Sequence, residues 1–120
     1  MKTYKLVEYR PHTIAEGWAE AKKTLLRVMD DLHEEFIKQT QLIESSCGQR
    51  CYSIRLHAPE SGMWLYLARD EWSIHGPAFF VKRESLKGHI DMPLRRFNEI
   101  IRWIGDITAA DITSKIEEAL

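Results

Sequence analysis

Cysteine is scarce in this chain, and so are glycine, proline and any excess of charge. The two cysteines, Cys47 and Cys51, are too few for a disulfide framework. No apolar run approaches the length of a bilayer span. Met1-Lys-Thr-Tyr-Lys5 is not followed by the apolar stretch of a secretory signal. These readings together lead to an expected cytoplasmic location in a reducing compartment, with no membrane association. The six glycines stand apart rather than in a phosphate-cradling loop. The net charge of −1 supplies no global field to draw the chain to nucleic acid or to an anionic surface.

What is present is an ordinary globular composition. The 120 residues are 44% hydrophobic and 29% charged, which suits one domain with a sizeable core. Charge is distributed in blocks. Residues 13–46 sum to −3, residues 79–105 to +3, and the last fifteen to −3. Such blocks read first as solvated faces, and second as one basic face for an acidic partner.

Hydrophobic periodicity predicts the order β-α-β-β-β-α-α. Residues 3–9 have strand composition, ended by Arg10-Pro11-His12. Thr13 and Glu16 have capping-box spacing, and a helix follows to about Glu44. Trp18, Leu25 and Leu32, with Met29, Phe36 and Ile43, form its apolar stripe; Glu20, Lys23, Arg27, Asp31, Glu34 and Lys38 form its polar face. A helix of ~30 residues is ~45 Å long, more than so small a domain is wide. It therefore either breaks near Gln39–Gln41 or projects against a second copy.

Residues 51–58 and 63–69 read as two strands joined by Pro59-Glu-Ser-Gly62. On the second strand Met63, Leu65 and Leu67 point one way, Trp64, Tyr66 and Ala68 the other. With large side chains on both faces, this sheet needs a second cover or a partner. Further strand segments are Trp72–His75 and Ala78–Lys82, interrupted by Gly76-Pro77 as an edge, a bulge or a turn. Asp91 is read as a helix cap before Pro93. A helix over 94–104 ends at Gly105, and a last helix follows a Thr108–Asp111 cap, with Ile112, Ile116 and Leu120 on one face. Strands grouped between helices argue for an α+β fold: a single two-layer domain, 1–120, with a mainly antiparallel sheet of three or four strands, one long N-terminal helix and a C-terminal helical hairpin.

No chemistry is specified. Cys47 and Cys51 are half of a zinc site at best, with His57 and His75 needed to complete it, and their spacing is wrong for Cys-x-x-Cys redox work. Asp30 and His33 supply one half of a carboxylate–histidine metal pair whose other half is missing. Neither a cofactor nor a metal is expected, and no catalytic residue is assigned. The function expected is a small non-enzymatic interaction or regulatory protein that binds a protein partner and forms a homodimer. Arg55, His57, Trp64, Tyr66 and Trp72 are its candidate binding residues, because Trp, Tyr and Arg most often carry interface energy. One alternative is a small enzyme or ligand-binding domain using His57, Arg55 and Tyr66. Another is nucleic-acid binding through Lys82, Arg83, Lys87, Arg95, Arg96 and Arg102. That partner is not expected, because the last helix opposes it with Asp111, Glu117 and Glu118 against Lys115.

Overall fold

The computed structural model describes residues 14–120. The strand expected over 3–9 and the Thr13 cap lie outside the described residues. The fold is α+β: helix α1 (Ile14–Cys47), strands β1 (Ser53–His57), β2 (Trp64–Ala68), β3 (Trp72–Gly76) and β4 (Phe79–Lys82), a short 3-10 turn (Glu84–Lys87), and helices α2 (Leu94–Gly105) and α3 (Ala109–Ala119). No helix among the described residues is long and apolar enough to cross a membrane.

Helix α1 does not break at Gln39–Gln41. It runs unbroken for 34 residues, about 51 Å at the standard rise, which matches the long dimension of the molecule, 51 Å. What accommodates it is length of cover. Its buried stripe extends from Ala21 through Leu25, Met29, Leu32 and Phe36 to Thr40, against the sheet and both later helices. Trp18, at the head of the expected stripe, is instead exposed. Gly48, at φ 73, terminates the helix by donating its amide to Glu44 O.

The strands form an antiparallel meander in the order β1-β2-β3-β4. Pro59–Gly62 makes the first turn, closed by Ala58 N donating to Met63 O at 2.8 Å. Gly76 pairs with Phe79, so Pro77-Ala78 is a two-residue turn, with Ala78 at φ 65. The inner face carries Ile54, Leu56, Leu65, Leu67, Trp72, Ile74 and Val81, all buried in one core cluster with the helices.

Two polar ties fix the layers. Asp30 on α1 accepts from the Trp72 indole Nε1 (3.0 Å) and from Arg83 Nε and Nη2 (both 3.0 Å). Burial alone would raise the Asp30 pKa, but these hydrogen bonds and the charges of Arg83 and His33 hold it below the usual carboxylate value. Gln39 joins α1 to α3, donating to Ala109 O and accepting from Thr113 Oγ1. Asp91 does not cap α2; Pro93 occupies the cap position in an extended conformation and its carbonyl accepts from Arg96 and Phe97. Gly105 is the last residue of α2 rather than its cap, which is Asp106. The Thr108–Asp111 capping box forms in both directions.

Candidate functional site

Period-2 alternation places every even residue of β2 on the sheet face opposite the core. The register then aligns neighbours from all four strands. One row is His57, Trp64, His75 and Phe80; the next is Arg55, Tyr66, Ser73 and Lys82. Both rows lie on the outer face, and no described helix packs over them. Trp64 and Tyr66 are half-buried there, held by their neighbours, while Phe80 is 50% exposed.

Within the first row the rings stand against one another. Trp64 and His75 are stacked with centroids 3.7 Å apart and planes 1° from parallel. Arg55 covers Trp64 at 5.1 Å from its centroid, and His57 lies at 6.4 Å. Trp64 is thus flanked by His75 and by Arg55, and its flat faces are not free to receive a nucleobase. Phe80 tilts at 54° to His75, with the Lys82 ammonium 5.6 Å from its ring. His75 Nε2 hydrogen-bonds Ser73 Oγ at 2.8 Å. Burial, then the nearby Arg55 charge, lowers the His75 pKa and favours a neutral ring.

The two rows contain cations and no carboxylate. Arg55 and Lys82 make ring contacts, and neither has an ion pair among the described residues. The other cations are positioned differently. Arg83 turns toward the helices to Asp30. Arg96 pairs with Glu99 and covers Phe79 on the helical side. Lys87 and Arg95 are exposed on the 3-10 turn and on α2, and Arg102 is exposed one helical turn from the end of α2. The basic segment over 82–102 therefore does not share one face.

Trp72 leaves the candidate binding set. It is 1% exposed, because its alternation parity matches Ile74 and turns it into the core. His75 and Phe80 take its place on the outer face. The signal for them was the meander register: two short turns carry the Trp64 row onward to residues 75 and 80.

Around the edge of β1 that is unpaired among the described residues run three adjoining grooves. The first, about 460 Å³, lies between Arg55 and His57 on β1 and Lys115, Glu118 and Ala119 on α3. The second, about 350 Å³, shares His57 and Lys115 and reaches Trp103 and Ile107. The third, about 340 Å³, shares Trp103 with the second and ends near Met63. Tyr66 borders none of these three; it is the cross-strand neighbour of Arg55, with His57 two residues along β1, so the three form a corner on the outer face and none of these grooves is lined by all of them.

No group of three or more metal-ligating side chains occurs among the described residues. His33 Nε2 is engaged with Ala68 O at 2.6 Å, and Asp30 with Arg83. Cys47 is exposed at the end of α1, whereas Cys51 is buried, with burial raising its pKa. Comparison with known protein families, curated proteins and solved structures yields no match.

Proposed function

We propose that this protein is a non-enzymatic interaction module that binds a protein partner through the outer face of its sheet. The observation that carries the reading is the uncompensated aromatic and cationic composition of that face. Arg55, His57, Trp64, Tyr66, His75, Phe80 and Lys82 align on it without one carboxylate. Aromatic and arginine side chains held rigid by their neighbours lose little entropy on contact, which suits them as interface anchors. A regulatory role follows if the partner is the active component. The catalytic alternative requires Arg55, His57 and Tyr66 around one bound substrate, and the absence of Tyr66 from the three grooves described above argues against it. Base stacking is disfavoured by the occupied faces of Trp64. Self-association through α1 is also disfavoured, since its apolar stripe is already covered from Ala21 to Thr40.

Affinity capture from the native host, run in parallel with wild type, Arg55→Glu and Tyr66→Ala, tests this reading. One protein should co-purify with wild type in stoichiometric amount and be lost from both variants. Truncating an interface anchor weakens binding by about 2 kcal/mol, roughly thirtyfold. Identical capture by all three forms would refute the reading.

A further inference from the structure

We infer that the partner contributes an extended, carboxylate-bearing segment that pairs with the edge of β1 left unpaired among the described residues and so becomes a further strand of the sheet. This inference rests on the protein-binding reading and specifies its geometry.

Hydrogen-bonded pairs alternate along an antiparallel ladder. The bond from Ala58 N to Met63 O therefore places Ile54, Leu56 and Ala58 in bonding contact with β2. Ser53, Arg55 and His57 direct their amide and carbonyl groups the other way, to the edge that no strand among the described residues pairs; of these groups the Ser53 carbonyl accepts from Cys51 Sγ at 3.6 Å. The opposite edge differs. There Lys82, which by the same alternation faces outward, already donates its amide to Ser85 Oγ at 3.2 Å. Edge strands are usually blunted by a bulge, a proline or a covering element. Strand β1 has five consecutive pairs with β2, without a bulge or proline. The groove between it and α3 runs beside the same three residues, Ser53, Arg55 and His57.

Charge selects the occupant. Arg55 is at the centre of β1, is exposed, and has no ion pair among the described residues. A second copy paired about the middle of β1 would oppose Arg55 to Arg55, and like charges directly opposite are destabilising. A carboxylate in the added strand, placed opposite or diagonal to Arg55, gains an ion pair instead. Main-chain bonding then supplies affinity and Arg55 supplies selectivity, as in strand addition generally.

The test selects displayed random peptides on the immobilised full-length chain and measures the enriched peptides against wild type, Arg55→Glu and Ser53→Pro. Proline at an outward-facing edge position deletes an edge amide while sparing the bonds to β2. Enriched peptides should share an Asp or Glu and lose about tenfold or more in affinity on Arg55→Glu. They should lose binding to Ser53→Pro, and should slow amide exchange at Ser53, Arg55 and His57. If Ser53→Pro does not fold, Arg55→Glu and the exchange data decide alone. Three results would overturn the inference: no enrichment; binding indifferent to Arg55→Glu and without edge protection; or edge amides already protected in the free chain. In the last case a dimer mass by light scattering would identify a second copy as occupant, and a monomer mass the chain's own residues. Peptides that bind without edge protection but depend on Tyr66 would leave the protein-binding reading intact. A lack of any enrichment would leave that reading to the host capture experiment.

Discussion

Replacing Asp30 by alanine removes the acceptor that joins α1 to the third and fourth strands. The Trp72 indole N–H, on a side chain 1% exposed, would lose its acceptor. An unsatisfied buried donor costs about 1–3 kcal/mol. The Arg83–Asp30 pair has good two-point geometry at 3.0 Å, but its side chains are 40% and 31% exposed. Solvent screening limits such a pair to about 0.5–1 kcal/mol. Together the loss is about 1.5–4 kcal/mol, a melting-temperature drop of roughly 5–20 °C for a chain of this size. Urea and thermal unfolding followed by circular dichroism measure it. Asp30→Asn retains an acceptor for the indole and should cost about half as much. The pH dependence has a definite sign. Because the folded Asp30 is held below its ordinary value of 3.8, its contribution is complete above about pH 4 and is lost as pH falls through the folded value. The deficit of Asp30→Ala should therefore shrink in acid. A loss under ~0.5 kcal/mol at neutral pH would refute the reasoning, since a buried indole donor cannot be orphaned so cheaply.

Two further predictions concern the sheet. Ala78 sits at φ 65, a conformation costing an L-residue about 1–2 kcal/mol, so Ala78→Gly should stabilise by about 0.5–1 kcal/mol after the added chain entropy of glycine. Gly76→Ala should destabilise in the same assay, because its Cβ would lie 2.1 Å from Phe79 Cε1. His75 should titrate by proton NMR below its ordinary 6.5, and Arg55→Gln should move the midpoint upward while burial retains part of the depression. A depressed histidine contributes stability that is complete above the unfolded value and lost as pH falls through the folded one, so folding should weaken below about pH 6.5.

Local signals in the sequence specified local structure well. The Thr108–Asp111 box, the Pro59–Gly62 turn and the alternation of β2 all carry their geometry in neighbouring residues, and the structure shows each of them. The two-faced β2 strand also announced that Trp64 and Tyr66 would stand apart from Leu65 and Leu67. What was illegible depends on distant partners. Asp30 meets Trp72 and Arg83 across 42 and 53 residues, and no pattern within α1 marks Asp30 as different from Asp31. Trp72 has the residue type of an interface anchor, but its parity with Ile74 turns it into the core. The length of α1 suggested a break or a second copy because its cover, α2 and α3, is far along the chain.

The outer sheet face is proposed as the surface through which this protein meets another. A photo-crosslinking residue substituted at Tyr66 in the native host examines it most directly. One heterologous adduct is expected, abolished when Arg55→Glu is added, with little product from a control position such as Lys23 on the polar face of α1. Equal adducts from both positions, or adducts at position 66 that ignore Arg55, would contradict it.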